Sequence, residues 1–340
     1  MSLFSFKQEI AIDLGTANTI IISNDKVLVD EPSYIALDAR TNEVKAVGKK
    51  AKMMTDKGSE KKISVIRPLR DGVIADFQAC ELMMSEMIKM LPNKSHFFTT
   101  SLKMVVCIPS GSTEVEIRAV RDSSEHSGGR DVYMIYEPMA AALGIGIDVE
   151  APEGSMIVDI GGGTSEIAVI SLGSIVTNKS IKTAGDDFNE DIIDYMARMH
   201  NMRIGEPTAE RIKINVGAAL TELDDAPEDY IVRGPNRMTA LPMEVPVSYQ
   251  EIAHCLEKSI TKIENAVLTA LENTPAELYS DIVERGIYLT GGGALLRGLD
   301  KRLTNKINIP FYVAEDPLRA VARGTGIALK NAEKYTFLMR

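Results

Sequence analysis

The chain has 340 residues, enough for two domains of ordinary size, and 38 Lys and Arg stand against 48 Asp and Glu for a net charge of −10. That balance excludes a sequence-independent nucleic-acid binder, which needs a basic surface, and attachment to anionic lipid by charge alone. Hydrophobic residues make up 45% but aromatics only 5%, with no Trp, so the core has to be built from Ile, Val, Leu, Ala and 17 Met.

Strands and helices alternate along the chain, which predicts an α/β fold. Residues 10–23 and 27–37 read as strands, and the charged, broken stretch 42–72 reads as a small insertion. Residues 76–91 carry Phe77, Cys80, Met84, Met87, Ile88 and Leu91 at helical spacing. A strand at 102–109 and a helix from about Ser112 follow. Glu137-Pro138 opens a short Ala-rich helix, with Pro where a first turn accepts it. The scheme then repeats as a hairpin at 156–171, a strand at 175–182 and a helix at 187–200. Pro207-Thr208 introduces a helix to about Leu220. Residues 224–248, with Pro227, Pro235, Pro242 and Pro246, read as a second insertion with short strands. One amphipathic helix is expected over 249–273, marked by Ile252, Leu256, Ile260, Ile263, Val267 and Leu271. A strand at 310–314 and a terminal helix from about Pro317 complete the reading.

Cys80, Cys107 and Cys255 are far apart and form no C-x-x-C, so they read as small core hydrophobes in a reducing compartment. His96, His126, His200 and His254 lack ligand spacing, which argues against zinc. No apolar run approaches a membrane span, and Lys7, Gln8 and Glu9 break the N-terminal apolar stretch, so the expectation is a cytosolic chain without a signal peptide.

One phrase occurs twice, 146 positions apart: Asp13-Leu14-Gly15-Thr16-Ala17-Asn18-Thr19 and Asp159-Ile160-Gly161-Gly162-Gly163-Thr164-Ser165, each between apolar runs. Each reads as strand, tight turn, strand, and the repetition implies a duplicated unit with a cleft between its halves. Gly15 and Gly161 to Gly163 permit positive φ and remove Cβ atoms, so backbone N–H groups can converge on an anion. Thr16, Asn18, Thr164 and Ser165 add short polar side chains. Asp13 and Asp159 accept only, when ionised, so they suit Mg²⁺ or its waters and not a phosphate. Either copy alone is no more than a turn; its recurrence with the same residue types argues for a shared polyphosphate. A third Gly-rich turn, Leu289-Thr290-Gly291-Gly292-Gly293-Ala294-Leu295-Leu296, ends a buried strand and is expected to open a helix. It is neither a Walker loop nor a dinucleotide fingerprint.

These three segments resemble the phosphate 1, phosphate 2 and adenosine motifs of the actin, heat-shock chaperone and sugar-kinase superfamily. More specifically, the chain from about Ile10 to Ala328 resembles the MreB family of bacterial actins. Arg67-Pro68-Leu69-Arg70-Asp71-Gly72-Val73, Cys107-Ile108-Pro109-Ser110-Gly111, Glu137-Pro138-Met139-Ala140-Ala141-Ala142 and Thr208-Ala209-Glu210-Arg211-Ile212-Lys213 carry that resemblance. It implies an actin-like ATPase fold of two duplicated lobes, each a mixed sheet flanked by helices with a small inserted subdomain. The first lobe would be 1–145 with 315–340 (core 1–31, 77–145 and 315–340; insertion 32–76), and the second 146–314 (core 146–181 and 245–314; insertion 182–244).

The resemblance also assigns residues. Glu137, at a strand-to-helix junction, is open between orienting water and complementing a helix dipole. The family's Glu-Pro-x-Ala-Ala-Ala pattern implies the first, with Thr164 at the γ-phosphate. Glu210, Arg211 and Lys213 alone read as a solvated helix face; the family implies contacts to ribose and adenine. Asp13, Gly15, Thr16, Ala17, Asn18, Gly161, Gly162, Gly163, Thr164, Gly291, Gly292, Gly293, Ala294 and Leu295 complete the expected ATP site, with Mg²⁺ at Asp13 and Asp159 through water. Tyr136 stands where the family usually carries an acidic residue, and Asn215-Val216 replaces a charged-apolar pair.

Leu3, Phe4 and Phe6 crowd the N-terminus, and Phe97 and Phe98 are adjacent in a polar connection, so both stretches are expected to insert shallowly into a membrane. The resemblance implies paired filaments on the inner face of the cytoplasmic membrane, slow ATP hydrolysis, and a role in wall elongation that maintains rod shape. Its implied partners are a membrane-embedded shape regulator and wall-elongation proteins, with no nucleic acid. The alternative is a small-molecule kinase of the same superfamily, with Asp186 or Asp187 as base. A chaperone would need a further peptide-binding domain.

Overall fold

The computed structural model describes residues 7–55, 57, 62–92 and 101–340. The chain forms two compact units: residues 1–152, 170–175 and 318–340, and residues 153–169 and 176–317.

The first unit opens with a meander of β1 (Lys7–Leu14), β2 (Asn18–Ser23) and β3 (Lys26–Pro32). A three-stranded sheet follows, from β4 (Ile35–Asp38), β5 (Val44–Val47) and β6 (Ile63–Ile66), with the short helix α1 (Lys49–Lys52). A two-stranded ribbon joins β7 (Leu69–Arg70) to β8 (Val73–Ile74). Helix α2 (Phe77–Lys89) starts where the Asp76 carboxylate accepts from the Ala79 N–H, and it buries Ala79, Cys80, Met83, Met84 and Met87 at intervals of three and four. After β9 (Ser101–Ile108), the Thr113/Glu116 capping box starts α3 (Glu114–His126). Strand β10 (Gly129–Tyr136) leads directly into α4 (Glu137–Gly144). The main sheet runs β10-β9-β1-β2-β3, with β9 parallel to both of its neighbours.

The second unit repeats that order. Strands β11 (Ser155–Ile160), β12 (Ser165–Ser171) and β13 (Ser174–Ile181) form its meander. Helices α5 (Gly185–Met199) and α6 (Glu206–Val216) follow, then the ribbon of β14 (Tyr230–Pro235) and β15 (Pro242–Val247). Next come α7 (Tyr249–Cys255), α8 (Glu257–Glu272), α9 (Ala276–Arg285), β16 (Ile287–Thr290), α10 (Leu299–Ile307) and β17 (Phe311–Val313). The sheet runs β13-β12-β11-β16-β17, with β16 parallel to β11 and β17. Both units therefore have a meander extended by two parallel strands, as the repeated phrase implied. Strands β11 and β12 are buried along their whole length, and their centres, Met156 to Val158 and Ile167 to Ile170, are unbroken apolar runs because both faces are covered.

Three local expectations change. The single helix expected over 249–273 is α7 and α8, joined where Leu256 relaxes to φ −84°, ψ −3°. Its apolar stripe crosses that joint unbroken, so spacing alone could not show it. Helix α9 escapes a periodicity reading because Ile282 is its one buried residue. The run Gly291-Gly292-Gly293 does not open an α-helix: Gly292–Leu295 is a 3₁₀ turn, and α10 starts at Leu299.

The last helix, α11 (Ala320–Lys330), belongs to the first unit and lies against α4. Their backbones come so close that a Cβ on Gly144 would stand 1.9 Å from the Ala320 carbonyl oxygen, and one on Gly324 1.7 Å from that of Ala140. The contact fixes the helix that begins at Glu137. Gly324→Ala should therefore force the helices apart and destabilise the protein by about 1–3 kcal/mol. Gly326→Ala, on the same helix, places its Cβ at an ordinary 3.4 Å from Ile22 and should be neutral or stabilising. Urea unfolding of the two variants beside the parent checks the contrast.

Candidate functional site

The first half-site lies at the β1–β2 turn, where Asp13 is the penultimate residue of β1 and Gly15 to Asn18 reverse the chain. Gly15 is required by space, since a Cβ there would meet the Asn18 carbonyl oxygen at 2.7 Å. Ser33 Oγ donates to the Gly15 carbonyl at 2.6 Å, Arg67 to the Thr16 carbonyl at 3.4 Å, and the Ser33 N–H to the Ala17 carbonyl at 3.0 Å. All described peptides are trans, so the N–H groups of Thr16, Ala17 and Asn18 each point away from the group holding the preceding carbonyl. That leaves donors directed outward, the arrangement an anion needs. The Thr16 hydroxyl accepts from the Gly72 N–H at 3.0 Å, so it pins the turn to the β7–β8 ribbon.

Asp13 receives the Cys107 thiol on Oδ1 at 3.2 Å. Burial, with a contribution from the nearby Asp30 carboxylate, pushes the Asp13 carboxyl up to about 6 despite that hydrogen bond. The Cys107 thiol is pushed well above its usual range by burial and by the Asp13 and Glu137 carboxylates, which brings Glu137 to the same end of the sheet. Glu137 stands at the first turn of α4, directly after β10.

The second half-site uses a different device for the same end. The Gly161 N–H closes the turn on the Thr164 carbonyl at 2.9 Å. The first N–H groups of α5 take the turn's carbonyls: Gly185 donates to Gly161 at 3.1 Å and Asp186 to Gly162 at 2.8 Å. A helix start has N–H groups without intrahelical partners, and here the turn supplies them. By the same planarity the Gly162 and Gly163 N–H groups point away from α5. Thr164 is buried at the end of this turn, and Ser165 donates to the Thr183 carbonyl at 2.7 Å as a structural hydroxyl. Asp159 is 4% exposed and receives the Thr290 hydroxyl at 2.7 Å. Asp187 accepts from the Ala184 N–H at 3.0 Å and so caps α5.

Helix α6 separates the predicted cluster. Glu210 and Lys213, three residues apart, pair at 2.9 Å, and Lys213 Nζ also donates to the Gly185 carbonyl at 2.9 Å. Asn189 Nδ2 donates to Glu210 at 2.8 Å, while the buried Asn189 Oδ1 has no hydrogen-bond partner. Arg211 faces elsewhere and bonds Thr208 in an exposed position. The segment Gly291 to Leu295 lies on Ile160: a Cβ on Gly291 would stand 2.3 Å from its carbonyl oxygen, and one on Gly293 2.2 Å from its Cγ2. This places the third Gly-rich segment beside the turn that follows Asp159. Ala294 is buried, whereas Gly292 and Leu295 are exposed.

Two expectations are corrected. None of Gly15, Gly161, Gly162 and Gly163 takes a left-handed φ; Gly291 does, at +78°. Cys107 is a hydrogen-bond donor as well as a small core residue. Sequence reasoning did not single out Ser33, Arg67, Asn189 or Thr290 as site residues. Only Thr290 carried a local signal, as the polar end of a buried strand before a glycine run. Leu3, Phe4, Phe6, Phe97 and Phe98 lie outside the described residues.

The donor set suits Mg²⁺ in one particular way. Among the described residues no three Asp, Glu, His or Cys gather as a metal-ligand group. A cation beside Asp13 or Asp159 would therefore keep most of its waters, as Mg²⁺ does next to phosphates. No described helix is long and apolar enough to cross a membrane.

The family model described as MreB/Mbl protein matches residues 7–336. The chain is 44% identical over 330 residues to the cell shape-determining protein Mbl of Bacillus subtilis (strain 168), covering 97% of this chain and 98% of that one. It is 46% identical over 335 residues to the cell shape-determining protein MreB of Escherichia coli (strain K12), covering 97% and 95%. Among solved structures it is similar to MreB 5 of Spiroplasma citri bound to AMPPNP, with a TM-score of 0.90, 36% identity and coverage of 97% and 98%. A MamK double helical filament gives a TM-score of 0.78 at 18% identity, covering 96% and 99%, and that likeness concerns the fold alone. The architecture is the actin-like α/β fold.

The raised Asp13 carboxyl has a definite pH signature. The native state holds this proton more tightly than the unfolded chain, so the group contributes stability at pH 4 that is lost as pH rises through about 6. Asp13→Asn removes the buried charge. In metal-free, nucleotide-free protein it should melt above the parent at pH 8, and the gap should close toward pH 4.5. Thermal melts across that range decide; parallel curves would contradict the assignment.

Proposed function

The chain belongs to the MreB/Mbl family, and from that membership we propose that it is an ATP-dependent bacterial actin whose filaments determine cell shape. The observation that carries this reading is the pair of turns, one per unit, whose carbonyls are held from behind so that their N–H groups face outward. Such turns bind a polyphosphate through fixed donors that need no reorganisation on binding. The relatives are named cell shape-determining proteins, and the Spiroplasma relative was solved with AMPPNP, an ATP analogue.

In this reading the N–H groups of Thr16, Ala17 and Asn18 bind triphosphate oxygens, and those of Gly162, Gly163 and Thr164 do the same from the second turn. Glu210, Lys213 and Asn189 meet the ribose edge, and the segment Gly291 to Leu295 offers its backbone to the adenine; Arg211 lies outside this set. Mg²⁺ would be held through water by Asp13 and Asp159, and when bound it neutralises phosphate charge and favours the ionised form of Asp13. Glu137 accepts a hydrogen bond from the attacking water and orients it toward the γ-phosphorus. Hydrolysis is slow and tied to assembly. Chains associate head to tail, because a contact whose rotation does not close a ring gives a filament.

The filaments lie on the inner face of the cytoplasmic membrane, held by Leu3, Phe4, Phe6, Phe97 and Phe98. Each inserted Phe contributes about 1.5–3 kcal/mol, weak for one chain and additive along a filament. A membrane-embedded shape regulator and wall-elongation proteins are the partners this reading assigns. Electron microscopy of purified protein on a lipid monolayer, with and without Mg-ATP, tests nucleotide dependence, assembly and attachment together. Absence of filaments in every condition would overturn the proposal.

Two variants refine it. Glu137→Gln should bind ATP within about threefold of the parent and still assemble, while phosphate release falls on the order of 100-fold. Unchanged release would remove Glu137 from the chemistry. Phe97→Ser with Phe98→Ser and deletion of residues 1–6 should abolish liposome co-sedimentation and leave filaments in solution.

A further inference from the structure

The two aspartates of the phosphate turns are held by the same structural device. In the first unit β1 and β9 run parallel with Ile12 beside Val106, so the next rung sets Asp13 beside Cys107. In the second unit β11 and β16 run parallel with Asp159 beside Thr290. At both rungs the neighbour donates to the carboxylate, Cys107 Sγ to Asp13 Oδ1 at 3.2 Å and Thr290 Oγ1 to Asp159 Oδ1 at 2.7 Å. Both donors are buried, at 2% and 0% exposure. The first parallel strand beyond each meander thus carries a donor against the aspartate, at its last residue in β16 and one residue before the last in β9. The chemistry differs, a thiol in one copy and a hydroxyl in the other. What the two copies share is donation at that rung, and not a residue type.

We propose that Cys107 and Thr290 are positioning residues for the cation, each occupying one oxygen of its aspartate and holding the carboxylate in one orientation toward the hydrated Mg²⁺. This rests on the reading above, in which Asp13 and Asp159 act on the waters of Mg²⁺. A carboxylate loses rotamer freedom only once if a buried donor already holds it, so less ordering remains when the ion arrives. Groups that orient a metal-binding side chain in this way change metal affinity when removed. The hydroxyl bond is the shorter and stronger, so Thr290 carries more of the effect than Cys107, whose thiol is a weak donor.

The test is a titration of full-length protein with a fluorescent ATP analogue, in Mg²⁺ and in EDTA. The variants are Thr290→Val, Thr290→Ser, Cys107→Ala and Cys107→Ser. Thr290→Val should weaken Mg²⁺-dependent binding about 10-fold, and Cys107→Ala by a smaller factor of roughly 3. In EDTA both should stay within about twofold of the parent, and the two Ser variants, which keep a donor, should do so in Mg²⁺ as well. Equal losses in Mg²⁺ and EDTA would reduce these residues to packing and overturn the inference. So would Ser variants as weak as the donor-less ones, or no loss at all. The Cys107 pair stands alone if Thr290→Val is not recovered folded. A parent that binds no ATP in either condition overturns the nucleotide reading and this inference with it. A parent that binds, with variants indifferent to Mg²⁺, overturns this inference only.

Discussion

A trans peptide directs its N–H and its C=O to opposite sides, and the outward-facing donors of both turns depend on that geometry. To offer several N–H groups to one anion, a turn must have its carbonyls satisfied behind it. The two units meet this condition differently. In the first, the Ser33 side chain and backbone and the Arg67 guanidinium take the carbonyls of Gly15, Ala17 and Thr16. In the second, the otherwise unpartnered N–H groups at the start of α5 take those of Gly161 and Gly162. The duplicated scaffold preserved the outcome and not the parts.

The sheets supply the second constraint. Each places an aspartate where a buried strand meets its turn, so the carboxylate is partly desolvated. At Asp13 the consequence is a carboxyl raised to about 6. The free protein thus carries an electrostatic liability at neutral pH, which a cation would relieve. A carboxyl raised in this way makes the free protein less stable at neutral pH than at acid pH, as far as this group decides.

The features legible in the sequence were those fixed by neighbours along the chain. The repeated Asp-x-Gly phrase disclosed both turns and the duplication, because strand, turn and strand are local. The position of Glu137 at a strand-to-helix junction was legible because Pro138 marks a helix start immediately after an apolar strand. Contacts between distant segments left no such trace. Ser33 reaches Gly15 across a hairpin, and Cys107 and Asn189 reach Asp13 and Glu210 across strands and helices. The charged run Glu210-Arg211-Lys213 looked uniform in one dimension; helical rotation turns Arg211 away from the pair that joins α5. The glycines of the turns were read for conformational freedom, which is not what the fold asks of them. Gly15 is demanded by a carbonyl 2.7 Å from its missing Cβ, which sequence cannot show, and left-handed φ falls instead to Gly291.

The close crossing of α4 and α11 bears on biogenesis. Helix α4 holds Glu137, and its partner at Gly144 and Ala140 is supplied by residues 320–330. A ribosome makes the whole second unit, residues 153–169 and 176–317, before it makes that partner. The nascent first unit must wait with one flank of α4 and β1 bare while its sibling folds. Splitting one unit around the other thus makes completion of its core wait for the synthesis of α11.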